Sequence, residues 1–476
     1  MAVKNRRRRR VGLLTLASGA ALLAALHSAQ AEMSTLQRDM VVRRACEAAI
    51  WAIPAIGVYG IEASMSRDLG GEPNDVLAMS QPMESHHTFL TPNDVTPYAG
   101  ANLTTKDGPM VVEVPPAGDK AMFFGSFVDA WQVPLDDVGP TGADEGKGAK
   151  YLFLPPGYDG EVPEGYLVYR PDTYAVAFAF RPVGRNGGTV EDQAAYARTL
   201  KVYRLDEADK PPETVFQDPF PKNWSTIPVY DITFFEDLNT IIQREPVLER
   251  DKVMMGMLAS LGIEKGKLFK PNAEMTAALE EGLKCAFDTL NARVLTPGDA
   301  FVPVFKSSNW GTFNISPEQA KRGFTFVEDD RLLIDDRAMY YFYATYLPKN
   351  LGGGTFYLVA THDADGEPLN GTDSYKLNIP ADTPADDFWS VIVNSLKTKA
   401  FVKGAPVVGL ASTGLDEMTV NEDGSVDVYF SPQPPIGLEN NWIKTGEDFF
   451  LLFRLYGPTD GWQEQGWELG NIVKLQ

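Results

Sequence analysis

The densest group of residues that could do chemistry lies between positions 93 and 131. Asn93, Asp94 and Tyr98 form a polar cluster, and Asp129 and Trp131 stand at the end of an apolar run that predicts a buried strand. Two carboxylates facing one cleft can act as general acid and base in hydrolysis, as in glycoside cleavage. Asp94 and Asp129 are therefore the candidate catalytic pair, with Tyr98 as a third catalytic candidate and Asn93 and Trp131 as candidate ligand contacts. The structural alternative is that Asp94 caps a turn and Asp129 satisfies backbone amides.

Two arginines are further candidates for ligand binding. Arg170 and Arg454 each flank a predicted strand. An arginine in such a place can hold an anionic ligand through paired hydrogen bonds, or it can form a structural salt bridge with a neighbouring acid. Both interpretations stay open at the level of the sequence.

Histidine is scarce and offers a weak case for a metal. His86 and His87 are adjacent, so their rings point in different directions in most backbone conformations. With Glu84, or with His362 brought near by folding, they could bind a divalent metal ion. The alternative is a pair of polar loop residues, and no other cofactor is predicted.

Several other chemistries lack their motifs in this sequence. No Gly-x-Ser-x-Gly elbow is present, and the glycine-rich segments at 187–188 and 352–354 lack the Lys-Ser/Thr ending of a phosphate loop. Cys46 and Cys285 each fall on the apolar side of a predicted helix, so we expect two buried free thiols. A bond between them requires that those two helices pack together.

The order of apolar patterns predicts a mainly β protein with a helical insert. Short apolar runs separated by Pro and Gly turns fill 110–180 and return after 300, which is typical of antiparallel sandwiches or barrels. Helical spacing dominates between them, and a first helix over 34–52 should end at Pro54. We therefore predict a signal peptide at 1–31, a β-rich domain at 32–232, a helical connector at 233–300 and a jelly-roll-like β domain at 301–476.

The N-terminus predicts export. Lys4 and Arg6 to Arg10 precede an apolar run of about 16 residues, and Ala29 and Ala31 occupy the −3 and −1 positions of a cleavage site. No Cys follows for lipid attachment, and no later run of the roughly 20 apolar residues that a membrane helix needs is evident. We expect a periplasmic or secreted protein without a stable membrane anchor.

The charge of the chain argues against nucleic acid as a partner. The formal net charge is −21, and removal of the basic targeting segment makes it more negative still. Proteins bind phosphate backbones through basic surfaces. A chain this acidic is therefore not expected to bind nucleic acid.

Two blocks of sequence resemble a known family. The first comprises 91–98 (Thr-Pro-Asn-Asp-Val-Thr-Pro-Tyr), 108–115 and 127–131, and the second comprises 363–371, 387–390 and 449–456. Their order and spacing are similar to those of exported bacterial proteins that pair domain of unknown function 1254 with domain of unknown function 1214. The resemblance implies a β-rich N-terminal domain, a helical insert, a jelly-roll-like C-terminal domain and self-association into a homo-oligomer, but no settled activity. The family's usual Gly-Ser-Arg-Thr-Thr-Gly run after Trp131 is here 138–144, without its Arg.

Three hypotheses for function follow. The first is an exported ligand-binding or assembly protein with a cleft in its β domains, taking a small-molecule or glycan ligand. The second is an exported hydrolase acting on a glycan or another polar substrate through Asp94 and Asp129. The third is a metal-dependent enzyme using His86 and His87. The residues that share the deepest pocket should discriminate among them.

The export prediction has a direct test. Because signal peptidase cuts after Ala31, the exported protein should begin at Glu32 when its N-terminus is sequenced. Retention of Arg6 to Arg10 in the exported form would contradict this prediction.

Overall fold

The computed structural model describes residues 33–296, 301–313, 317–350, 355–464 and 466–476. The predicted signal peptide at 1–31 and the glycine run at 352–354 lie outside the described residues. The described α-helices are α1 (Thr35–Ser64), α2 (Val190–Ala197), α3 (Ile232–Arg244), α4 (Lys252–Ser260), α5 (Ala273–Leu295), α6 (Pro317–Lys321) and α7 (Ile334–Tyr343).

The strands of the described residues fall into an N-terminal and a C-terminal set. The N-terminal strands are β1 (Val76–Ala78), β2 (Ala99–Thr104), β3 (Met110–Val114), β4 (Ala121–Asp129), β5 (Pro134–Val138), β6 (Ala149–Phe153), β7 (Leu167–Tyr169), β8 (Ala175–Gly184), β9 (Lys201–Arg204) and β10 (Phe216–Gln217). The C-terminal strands are β11 (Phe301–Pro303), β12 (Gly311–Phe313), β13 (Thr355–Ala360), β14 (Tyr375–Ile379), β15 (Ala385–Ser395), β16 (Gly409–Ala411), β17 (Val426–Ser431), β18 (Trp442–Lys444), β19 (Phe449–Pro458) and β20 (Val473–Lys474).

The N-terminal strands form a sandwich of two sheets. A six-stranded sheet of order β10-β1-β2-β8-β4-β5 packs on a four-stranded sheet of order β7-β6-β3-β9. The rings of Phe127 from the first sheet and Phe153 from the second lie 4.8 Å apart in the shared core. Side chains alternate across a strand, so Phe178 and Phe180 of β8 enter this core while Ala179 and Arg181 face the other way.

The C-terminal strands repeat this arrangement. A six-stranded antiparallel sheet of order β11-β12-β13-β19-β15-β16 packs on a four-stranded sheet of order β18-β17-β14-β20. Leu451, Phe453 and Leu455 of β19 point into the core between these sheets. Leu452 and Arg454 therefore face outward, toward the N-terminal sandwich.

A helical layer packs against both sandwiches. Its apolar cluster draws on α1, α3, α4, α5 and α7, so it combines three separate parts of the chain. Trp131 from the N-terminal sandwich and Phe450 and Leu452 from β19 belong to the same cluster. The prediction of a mainly β fold with a helical segment is confirmed, and the five helices of this cluster form a layer that joins the two halves.

The first helix runs further than predicted. Pro54 lies inside α1, which continues to Ser64, so the expected end at Pro54 is wrong. An internal proline costs about 3 kcal/mol, but most residues between Ala45 and Val58 are buried, and this burial outweighs the lost hydrogen bond.

The same helix is apolar enough to be mistaken for a membrane span. Residues Thr35–Leu69 pass a test of length and composition for crossing a membrane, a property that the sequence analysis missed. Within the fold, 78% of the most apolar window is buried, as in the core helix of a globular protein.

The two cysteines form a disulfide, so the expectation of free thiols is wrong. Cys46 in α1 is bonded to Cys285 in α5, with Cα atoms 5.5 Å apart. The helices approach this closely because Gly282 lies one turn before Cys285, and a Cβ there would stand 2.4 Å from that of Ala45. Cys46 is buried as predicted, whereas Cys285 is exposed.

Loss of this bond should destabilise the helical layer. The bond joins residues 239 positions apart, so replacing both cysteines by alanine should lower the free energy of unfolding by about 2–5 kcal/mol, measured with urea. The Cys285→Ala single variant should show the same loss. Two thiols alkylated in the unreduced, unfolded wild type would contradict the bond itself.

Candidate functional site

A cavity of about 510 Å³ lies between the outward faces of the two six-stranded sheets. Strands β4 and β8 form one wall, and β12, β13 and β19 form the wall opposite. The loop 89–98 and the segment 344–350 close the sides. A cavity of this size matches small-molecule sites, which are typically of about 300–1,000 Å³ and occur preferentially between domains.

Aromatic rings make up much of the lining. They come from both sandwiches, from α7 and from the segments that close the sides, and they are Phe89, Tyr98, Phe124, Phe313, Tyr340, Tyr346, Phe356 and Tyr357. The hydroxyls of Tyr340 and Tyr346 are buried without a hydrogen-bond partner among the described residues. Burial raises the pKa of both phenols, so both stay protonated and can donate.

Arg454 supplies a buried positive charge to this cavity. The residue is 1% exposed, and its Nη2 donates to the carbonyl oxygens of Thr91 and Pro92, each at 3.0 Å. Within the described part of the chain, its Nη1 has no hydrogen-bond partner and no carboxylate lies within ion-pair distance of the guanidinium. The guanidinium carbon lies 5.4 Å from the ring centre of Tyr357, the cross-strand neighbour of Arg454.

Arg181 faces Arg454 from the opposite sheet. Its guanidinium carbon lies 5.8 Å from the ring centre of Tyr456, and no described acid forms an ion pair with it. Burial acts to lower the pKa of Arg181, but the surrounding phenol groups outweigh burial and raise it. These phenols belong to Tyr357, Tyr456 and Tyr98. Both walls of the cavity thus carry a permanent positive charge.

Asn93 shapes the loop that presents Tyr98. The Asn93 Oδ1 accepts hydrogen bonds from the backbone amides of Val95 and Thr96, which is the local turn that asparagine favours. Its Nδ2 donates to the Tyr98 hydroxyl oxygen at 2.6 Å. Since that oxygen is an acceptor here, the Tyr98 proton is available to a group in the cavity.

The same loop contains a residue in an unfavourable conformation. Thr91 has a φ of 42°, which is rare for a β-branched residue. Its amide donates to the Lys399 carbonyl at 2.7 Å, its hydroxyl donates to the Tyr343 carbonyl at 2.9 Å, and its own carbonyl accepts from Arg454. These three bonds fix the backbone against which Arg454 is oriented.

Asp137 holds the segment 344–350 in place. Its Oδ1 accepts from the Lys349 amide at 2.8 Å and from the Ser126 hydroxyl at 2.7 Å, and its Oδ2 accepts from the Asn350 amide at 2.7 Å. Both carboxylate oxygens are therefore used to hold the cavity wall together. Asp137 forms no ion pair with a described arginine.

The structure does not bring the two candidate acids together in the cavity. Asp129 is 5% exposed, and its Oδ1 accepts from the amides of Trp131 and Val133 at 2.8 and 2.9 Å. Asp94 lies behind the loop, where its Oδ2 would stand 2.8 Å from a Cβ on Gly409. Burial raises the pKa of both acids, that of Asp129 to about 6. Neither is among the described lining residues, and the hydrolase hypothesis stays a prediction.

Two of the other candidate ligand contacts lie elsewhere. Trp131 is buried in the helical layer, where its ring lies 4.5 Å from that of Trp51 and 5.3 Å from the guanidinium carbon of Arg337. Arg170 is exposed and donates to the Tyr158 carbonyl at 3.1 Å. The geometry gives Trp131 a packing role and Arg170 a surface position.

The histidine pair is engaged with the backbone. The Nδ1 of His87 accepts from the Glu84 amide at 2.9 Å, so its Nε2 carries the proton and donates to the Phe220 carbonyl at 3.0 Å. His86 Nε2 also lies 3.1 Å from that carbonyl. His362 pairs with Thr361 instead, and no group of three metal-ligating side chains occurs within the described ranges.

Of the candidates named from the sequence, Asn93, Tyr98 and Arg454 line the cavity, and Arg181, which was not a candidate, lines it as well. The signal was available, because Arg181 directly follows an apolar run ending at Phe180, just as Arg454 follows Phe453. The sequence does not show that β8 and β19 face each other across the cavity. This arrangement places the two arginines in one cavity.

Fold and site together define a protein of two β-sandwiches with an arginine-bearing cavity between them. Residues 73–204 match the family model described as "Protein of unknown function (DUF1254)", and 354–460 match "Protein of unknown function (DUF1214)". The chain therefore belongs to the proteins that pair these two domains, as the sequence blocks predicted.

A solved structure shares the fold at low identity. The crystal structure of the VPA0106 protein from Vibrio parahaemolyticus is similar with a TM-score of 0.52 and 17% identity, over 92% of this chain and 100% of that one. That of an uncharacterized protein from Burkholderia cenocepacia gives a TM-score of 0.40 and 11% identity, over 92% of this chain and 96% of that one. No curated protein matches the chain.

Asp129 should make stability depend on pH. Burial raises its pKa from 3.8 to about 6, so its contribution is fully present below pH 3.8 and is lost as the pH rises through 6. Asn at this position keeps the Oδ1 acceptor without the charge. Asp129→Asn should therefore be more stable than wild type at pH 7.5, by up to about 3 kcal/mol, with a smaller difference at pH 4.

Urea unfolding at the two pH values measures this difference, with the exposed Asp159→Asn as the matched control. A difference that is the same at pH 4 and pH 7.5 would show that the charge of Asp129 is not responsible.

Proposed function

We propose that this protein binds a small organic anion in the cavity between its two sandwiches. The observation that carries the proposal is Arg454, a buried residue of the cavity wall whose Nη1 has no hydrogen-bond partner among the described residues. The ligand's acidic group would accept from that nitrogen, and its body would lie among the aromatic rings.

The energetics of buried charge support this proposal. A charge removed from water is costly unless it is paired, and a buried donor left without a partner costs about 1–3 kcal/mol. Arg454 keeps its position through two backbone carbonyls, which satisfy one nitrogen and leave its charge without an ion-pair partner among the described residues. An anionic ligand would satisfy both requirements at once.

We also propose that binding takes place outside the cytoplasm. The basic and apolar N-terminus is typical of an export signal. The Cys46–Cys285 bond supports the same compartment, because disulfides form and persist mainly in oxidising surroundings.

Paired probes of equal shape should reveal the preference for an anion. We expect 2-naphthoate to bind more tightly than the uncharged 2-naphthamide in isothermal titration calorimetry. Arg454→Gln should weaken 2-naphthoate binding by about tenfold or more, since a charge-assisted hydrogen bond is lost.

Arg170→Gln is the matched control, because Arg170 is exposed and away from the cavity. Arg454→Lys, which keeps a charge, should recover part of the affinity if Arg454→Gln disturbs the fold. Equal binding of naphthoate and naphthamide by the wild type would contradict the proposed function.

A further inference from the structure

We infer that the anion carries its charge as one doubly charged oxyanion head group, of the phosphate monoester class, on an apolar body; this rests on the proposed function. The geometry that points to it is the convergence of Arg181 and Arg454 on one group of tyrosines. A carboxylate would suffice for one arginine, whereas two arginines from facing sheets match a dianion.

Tyr357 interacts with both arginines. The guanidinium of Arg454 lies 5.4 Å from its ring centre, and among the neighbouring phenols that of Tyr357 has the strongest electrostatic effect on Arg181. Both arginines also act on Tyr456, whose ring Arg181 covers at 5.8 Å. The charges are therefore directed at one spot, and a ligand with acids at opposite ends would leave one of its acids among aromatic rings.

Donors are in excess at that spot. Arg454 offers its unpartnered Nη1, and Arg181 offers a guanidinium without an ion-pair partner among the described residues. Tyr98 accepts from Asn93, and no described residue takes its own proton. A phosphate group has three terminal oxygens that accept strong hydrogen bonds, which suits this number of donors better than the two oxygens of a carboxylate.

The acids near the cavity do not neutralise both arginines. Asp137 lines the cavity, but its oxygens accept from two backbone amides and the Ser126 hydroxyl. Asp94 lies close enough to Arg454 to be influenced by its charge, yet no ion pair joins them. Arg181 has no acid among its main electrostatic partners.

The apolar part of the cavity lining indicates what kind of body carries the phosphate head group. Leu452, Leu347 and Phe313 line the cavity together with Phe124 and Phe356, which is an apolar surface. A ring or a short hydrocarbon body would fill this space, whereas a free inorganic ion would leave it without contacts.

Three probes with one naphthalene body test the inference by titration calorimetry at pH 8, where an aryl phosphate is doubly charged. We expect the wild type to bind 2-naphthyl phosphate at least tenfold more tightly than 2-naphthoate, and more tightly than naphthalene-2,6-dicarboxylate. Arg181→Gln should abolish the preference for the phosphate over 2-naphthoate. Arg185→Gln, at an exposed position just after β8, should retain it.

If Arg181→Gln fails to fold, Arg181→Lys and Tyr357→Phe replace it as test variants. Each should reduce the preference for 2-naphthyl phosphate over 2-naphthoate. Equal affinity for phosphate and carboxylate, tighter binding of the dicarboxylate, or a preference unchanged in Arg181→Gln overturns the inference and leaves the proposed function standing. Binding of none of the three anions overturns both.

Discussion

The contact between Arg454 and the carbonyls of Thr91 and Pro92 is the constraint on which the arrangement of the two halves depends. It joins the central part of β19 to the loop that precedes β2, and it is buried from solvent. Thr91 accepts a left-handed backbone to make it, held by Lys399 and Tyr343. One side chain therefore sets the position of a loop, a strand and a charge.

The cavity is a product of strand alternation on both sides of the interface. On β19, odd-numbered residues fill the C-terminal core, and Leu452 and Arg454 face outward. On β8, Phe178 and Phe180 fill the N-terminal core, while Arg181 faces outward. The rule that builds each core thus also places the two arginines on opposite walls. Gln132 strengthens the junction, donating to the Pro54 carbonyl and accepting from the Tyr346 amide.

Much of the fold was predictable because its signals are local. Period-two runs mark the strands, and the family blocks fix their order. The course of α1 through Pro54 was not predictable, since it depends on burial by distant elements. The expectation of free thiols was wrong for the same reason, because only the packing of α1 on α5 brings Cys46 near Cys285. In the site, Asn93 and Tyr98 were visible as a local cluster, whereas Arg181 becomes distinctive only opposite Arg454.

The division of the cavity between two sandwiches has a thermodynamic consequence. A ligand that touches both walls binds the docked arrangement of the halves and has no complete site on either half alone. By linkage, such a ligand at free concentration [L] adds RT ln(1 + [L]/Kd) to the free energy of docking of the two halves. The reciprocal also holds: a change that lowers the fraction of molecules with docked halves weakens the apparent affinity in proportion to that fraction. For the proposed ligand, docking of the two halves and occupation of the cavity are therefore coupled in a single equilibrium.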